Sequence, residues 1–111
     1  MTVRFLRIAE IELDEAIDWY ELQGPGLGEA FLIEVLSAVH RISLYPEAWH
    51  PLDEDVRRCR LNRFPFGLIY SVENDDILVL AVAHLHRRPD YWRDRLKGMN
   101  CPTRFNAPGD L

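Results

Sequence analysis

Three side chains in the last third of the sequence could move protons: His84, His86 and Tyr91. Five arginines could bind an anion, with Arg58, Arg60 and Arg63 in one segment and Arg87 and Arg88 in another. Cleaving a phosphodiester without metal needs a base for the attacking hydroxyl, cations for the extra phosphate charge and an acid for the leaving oxygen. Imidazole and phenol supply the first and last of these, and guanidinium matches phosphate geometry. Each residue also has a structural role open to it. His84 ends an apolar run and could bond a neighbouring backbone group, while His86 and Tyr91 could cap or pack a helix. Trp92 reads more readily as a core anchor than as a stacking platform. His84 and His86 lack a third ligand at a helpful spacing, so no metal is expected. No glycine-rich phosphate loop, nucleophile elbow or zinc signature occurs, and no cofactor is expected.

These residues need elements to place them. Val3 to Ile8 reads as a strand. From Ala9 to Gln23 the period changes, and Ala9, Leu13, Ala16, Ile17 and Tyr20 fall on one helical face. Gly24-Pro25-Gly26 turns the chain into a second helix, Leu27 to Leu44, so the two should form an antiparallel hairpin. Glu47 to Asp55 reads as a loop. Three strands follow, over 57–63, 68–73 and 77–85, separated by Phe64-Pro65-Phe66-Gly67 and Asn74-Asp75-Asp76. Short connections favour an antiparallel meander. Pro89 suits the first position of a short third helix through about Leu96. The fold class is therefore α+β, in the order β-α-α-β-β-β-α, with the helical hairpin packed on a small antiparallel-rich sheet. Residues 1–98 form one domain, and the aperiodic tail 99–111 is expected to be disordered.

Alternation along a strand puts Arg58 and Arg60 on one face and His84 and His86 on one face of another strand. On the last strand it assigns Leu78, Leu80, Val82, His84 and His86 to one side. Ile77, Val79, Ala81, Ala83 and Leu85 take the other. Both rows are apolar, so the face away from the hairpin needs the third helix, a partner chain or both to cover it.

Composition narrows the class. The 111 residues are 48% hydrophobic, which suits one core, and no apolar run reaches a membrane-spanning length. The amino terminus meets charge too early for a signal-peptide core, so the chain is expected to be cytoplasmic. Cys59 and Cys101 suggest no disulfide framework. The net charge is −5, but it is segregated: the first half is strongly acidic and the residues from Arg57 onward are net basic. A basic zone on an acidic body suits a polyanion or an acidic protein as the partner of one face.

Three groups of residues resemble the RelE/ParE superfamily of toxins from type II toxin–antitoxin modules. They are the hairpin residues Glu12-Leu13-Asp14-Glu15-Ala16 and Trp19-Tyr20-Glu21 with Gly26-Leu27-Gly28 and Phe31; the arginine-rich segment from Arg57 to Phe66 leading to Ile69-Tyr70; and Ala81 to Trp92 with its histidines, arginines, proline and aromatics. The resemblance spans about residues 3–96. It implies a growth inhibitor neutralised by a cognate antitoxin in a hetero-oligomer. A ParE-like member would inhibit DNA gyrase without nuclease chemistry. A RelE-like member would cut mRNA on the ribosome, with His84, His86 or Tyr91 in proton transfer. An inactive member would only bind its antitoxin. RelE-like nucleases generally use several lysines at the cleavage site, whereas Lys97 is the single lysine here, so the ParE-like reading is preferred.

Overall fold

A computed structural model describes residues 2–99. Its elements are β1 (Thr2–Phe5), α1 (Arg7–Gln23), α2 (Leu27–Leu44), β2 (His50–Pro51), β3 (Val56–Arg60), β4 (Phe66–Glu73), β5 (Asp76–His84) and α3 (Arg93–Met99). The strands form one sheet in the order β1-β5-β4-β3-β2, with β1 parallel to β5 and the other neighbours antiparallel. The α+β class, the hairpin and the short final helix are thus as expected. The expectation for the tail falls on residues that, beyond Met99, lie outside the described ones.

The hairpin forms for local reasons. Leu6 donates its N–H to Val79 O on β5 and accepts the N–H of Glu10, so the chain leaves the sheet and enters α1 at one residue. This shortens the expected first strand and starts the helix two residues earlier. At the turn, Gly26 adopts φ 84°, a left-handed conformation that glycine takes without Cβ strain. The Glu21 carboxylate then accepts the N–H groups of Gly26 and Gly28. It satisfies orphan donors at the start of α2 and places negative charge at the positive end of the helix dipole.

One face of the sheet holds the main core. Ala9 and Ala16 of α1 and Phe31, Val35, Ala38 and Ile42 of α2 pack on Cys59, Leu68, Tyr70, Ile77, Val79 and Val82. Tyr20 stacks on Phe31 at 5.2 Å and meets Phe64 edge-on at 4.8 Å, an arrangement that aromatic quadrupoles favour. The expected 47–55 loop contains the two-residue strand β2. Pro51 is tolerated there because β2 is an edge strand.

The strict alternation read along β5 is wrong. Ile69 pairs with Ala81 but Tyr70 pairs with Val79, so Leu80 is an extra residue with no partner on β4. Such a bulge reverses the faces of everything beyond it. Ile77, Val79 and Val82 therefore enter the hairpin-side core, while Leu80, Ala81 and Ala83 join a second cluster on the far side.

That second cluster also contains Val56, Ile69 and Trp92, with Tyr91 and Leu96 packed against it. The far face is thus covered by the chain's own C-terminal segment. Helix α3 begins at Arg93, four residues later than expected. Pro89 instead opens a series of turns, with Tyr91 N–H bonding Arg88 O and Arg93 N–H bonding Asp90 O. The turns lower Trp92 onto the sheet, where it is 1% exposed and its indole N–H donates to Pro89 O at 2.9 Å. Replacing a buried aromatic by alanine removes about 3–5 kcal/mol. Trp92→Ala should lose that amount in urea unfolding and expose residues 85–96 to limited proteolysis, while Ile33→Ala on the outer face of α2 should change stability by less than about 1 kcal/mol.

Candidate functional site

The segment that closes the far face also builds the most chemically distinctive part of the molecule. Beyond Val79 the edge of β5 has no strand beside it, because β1 ends at Phe5. Side chains satisfy the edge instead. Glu12 of α1 accepts the Val82 N–H at 3.0 Å. Arg95 of α3 donates to Leu80 O at 2.8 Å and meets the same carboxylate with both terminal nitrogens, at 2.9 and 2.8 Å. The Tyr91 hydroxyl completes the set, donating to Glu12 Oε2 at 3.0 Å. Both charged side chains are only 11% exposed, so each is the buried counter-charge of the other.

Neither Glu12 nor Arg95 stood out as a site residue in the sequence. The available signal was position: Glu12 lies three residues after Ala9 and four before Ala16, so it borders the apolar stripe of α1. An acid there needs a partner.

Beside this clamp lies a recess. Ile69 and Ala83 belong to its floor, Leu52 and Arg58 to one wall, and residues 87–92 to the other, with His84 and Leu85 at the end of β5. Arg58, Arg87 and Arg88 all line it, although Arg58 is far from the other two in sequence. None of the three forms an ion pair with an acid among the described residues. Asp90, the acid in the lining, already pairs with Arg93 at 3.3 Å. The Nε of Arg58 is buried and has no hydrogen-bond partner. A Cβ on Gly67 would stand 3.0 Å from Arg58 Cγ and 3.2 Å from Cδ, so the absent side chain at 67 gives the Arg58 stem its place.

The other expected residues are distributed differently. Arg60 pairs with Gly67 and Arg58 with Ile69, so both lie on the recess side of the sheet. Arg63 stands in the loop after β3, where its N–H and that of Asn62 bond Glu34, and its guanidinium lies 5.7 Å from the Phe64 ring centre. His84 pairs with Phe66, on the hairpin side, with the rings 5.1 Å apart. The strand register therefore puts His84 and the Arg58–Arg60 pair on opposite faces. His86 is exposed and its N–H donates to His84 Nδ1 at 3.1 Å. In a neutral ring this leaves Nε2 carrying the proton, so His84 presents a donor.

Tyr91 is occupied. Its hydroxyl donates to Glu12, and the guanidinium carbons of Arg87 and Arg95 lie 4.1 and 4.9 Å from its ring centre. Burial pushes the hydroxyl up to about 12, and the Glu12 charge and hydrogen bond push the same way. A phenol so held neither takes a proton at neutral pH nor gives one up easily, since phenolate would face a carboxylate. What the recess offers is a cluster of cations on a partly apolar floor, suited to holding an anion.

A small α+β domain with a helical hairpin, a mixed sheet and a cationic recess under its C-terminal segment is the class these features define. The model of the family described as the ParE toxin of the type II toxin–antitoxin system parDE matches residues 3–89. The chain belongs to that family. Among solved structures, one described as the chromosomal ParDE TA system from P. aeruginosa is similar, with a TM-score of 0.55 and 22% sequence identity. The match covers 76% of this chain and 95% of that one, and at this identity it speaks to the fold. The comparison with curated proteins gives no match.

Two measurements check the clamp. Glu12→Leu leaves Arg95 buried without its counter-charge and should cost about 3–5 kcal/mol, whereas Glu12→Leu with Arg95→Leu should recover only the share due to the stranded charge, because the Val82 N–H and the Leu80 carbonyl stay unpaired. Equal destabilisation by the single and double variants would contradict the pairing. The second is an alkaline titration. Tyr70 and Tyr91 both titrate near 12 in the fold, in each case first because of burial. A free tyrosine titrates near 10, so unfolded chains lose these protons first. The stability they contribute is complete below about pH 10 and is lost as pH rises towards about 12. Ultraviolet absorbance should show these two phenols ionising late, and Tyr91→Phe should remove one of them.

Proposed function

We propose that this chain is the growth-inhibiting toxin of a type II toxin–antitoxin pair, acting in the cytoplasm by binding its target and not by cutting RNA. The observation that carries this reading is the commitment of Tyr91 to the Glu12–Arg95 clamp. Tyr91 lines the recess with its ring beside Arg87, and its proton is already engaged. His84 lies across the sheet from Arg58 and Arg60 by register. His84 borders the recess at the end of β5, but its ring packs on Phe66 on the hairpin side, which favours anion binding over general-base chemistry at the arginines.

This favours a ParE-like mode, in which the recess formed by Arg58, Arg87 and Arg88 engages an anionic surface of a target of the DNA-gyrase type. Arg60 extends the same basic face. Neutralisation falls to a cognate antitoxin bound in a hetero-oligomer, as expected for this family. No helix among the described residues is long and apolar enough to cross a membrane.

Induction of the chain in a bacterial host, with and without the adjacent open reading frame, tests the toxin role. Growth should arrest alone and recover with the neighbour. His84→Ala and Tyr91→Phe should stay toxic with cellular mRNA intact. Arg58→Ala with Arg87→Ala and Arg88→Ala should lower toxicity by at least about tenfold in inducer dose, because buried or clustered charge contacts are worth about 1.4 kcal/mol or more. Inhibition of gyrase supercoiling by purified protein would support the preferred target. Cleaved mRNA that disappears with His84→Ala would make the RelE-like nuclease the better reading. Unimpaired growth with folded protein would leave only antitoxin binding.

A further inference from the structure

The outward face of α1 carries a feature that neither the core nor the recess uses. Ile8, Ile11, Trp19 and Leu22 are 46%, 41%, 55% and 83% exposed. At roughly 100° per residue they fall within an arc of about 80°, turned away from the Ala9, Leu13, Ala16 and Tyr20 stripe. Positions 8, 11, 19 and 22 recur at spacings built from three and four residues, as on a face along which a second helix packs, with Glu15 and Asp18 interspersed. Four large apolar groups on such a stripe are more than the scattered exposure normal for a surface helix.

The charges on the same helix sharpen the chemistry. Three of its six acids have partners: Glu12 in the clamp, Glu21 on the α2 amino terminus and Glu10 with Arg7 at 3.4 Å. Asp14, Glu15 and Asp18 form no side-chain hydrogen bond or ion pair among the described residues, and they lie within or beside the exposed stripe. Asp18 stands in the second half of α1, where the helix dipole opposes a negative charge. No basic residue occupies the last turn to offset it. The outer face of α2 also exposes Ile33, Leu36 and Leu44, but only Glu29 lies among them, so the combination of stripe and unpaired acids belongs to α1.

We propose that the outward face of α1 docks a basic amphipathic helix from a partner protein, with an apolar stripe repeating every three to four residues and Lys or Arg on its flanks. Helix-on-helix docking matches the apolar period, and flanking cations match the three acids. A second copy of this chain fits poorly, because it would bring two sets of Asp14, Glu15 and Asp18 together. An anionic bilayer is repelled by the same charges. The inference stands on α1 alone and does not depend on the reading of the recess.

The probe is a synthetic amphipathic peptide of about 20 residues, long enough to span the stripe, with leucines in a heptad pattern and flanking lysines. Titrated into the full chain, it should bind saturably and shift Trp19 emission to the blue, with Trp19→Phe assigning the signal. Leu22→Ser, and separately Asp14→Asn with Glu15→Gln and Asp18→Asn, should each weaken binding by at least about tenfold, a change of about 1.4 kcal/mol. These positions are exposed on α1, so the variants should fold. Equal binding of a peptide with the same composition but scrambled leucines would overturn the proposal, as would unchanged binding by the charge variant. A dimer in sedimentation that Leu22→Ser disperses would assign the face to a second copy. Binding of the free chain to phosphatidylglycerol vesicles would assign it to a lipid surface. Either result would displace the partner helix.

Discussion

The ion pair between Glu12 and Arg95 is the constraint on which the rest of this small fold depends. An edge strand with unpaired backbone groups needs a cover, and β5 outruns β1 by half its length. Glu12 and Arg95 meet that need with side chains, one occupying the Val82 N–H and the other the Leu80 carbonyl. Because the two come from the first and last helices, the cover also ties the hairpin to the C-terminal segment across the end of the sheet. Removing either charge would strand the other in a largely dry setting. The carboxylate accepts four hydrogen bonds there, from Val82, Tyr91 and both terminal nitrogens of Arg95.

The bulge at Leu80 makes the clamp and the second core compatible. Without it, Ala81 and Ala83 would face the hairpin with Ile77 and Val79, and Val82 would lie beneath the C-terminal segment. With it, the small residues Ala81 and Ala83 lie under Trp92, leaving room for a large indole on a short stretch of sheet. The larger Val82 fills the space beneath the helices. A single extra residue in one strand thus decides which side of the sheet receives volume, and the close packing of both cores follows from it.

Charge is divided along the same line. The acidic hairpin covers one face of the sheet, and Arg58 and Arg60 of β3 gather with Arg87 and Arg88 of the C-terminal segment over the other. Arg58 reaches the recess because Gly67 leaves space for its stem, while Arg87 and Arg88 arrive with the turns that lower Trp92. The same segment that seals the second core therefore assembles the cationic site. The second core and the recess share their residues here, and Tyr91 shows the consequence: its ring belongs to the second cluster and its hydroxyl to the clamp.

Much of this was legible in the residues themselves. The apolar periods of three and four, the Gly-Pro-Gly turn and the short strand connections dictate the hairpin, the meander and the final helix, because these are properties of local backbone and nearest neighbours. The bounds of α2 follow directly from Gly26 before it and the aperiodic chain after it. The sequence also indicated which arginines to watch, since a run of guanidinium groups without acids is unusual in itself. Only the tertiary structure decided what those residues do together. A bulge is a mismatch between two strands and leaves no mark on the period of either, so the faces of β5 beyond Leu80 could not be assigned from β5 alone. The same holds for Glu12 and Arg95, which lie 83 positions apart. Nothing local distinguishes them from surface charges until the sheet edge, the bulge and the C-terminal turns bring a carboxylate, a guanidinium and two orphaned backbone groups to one point.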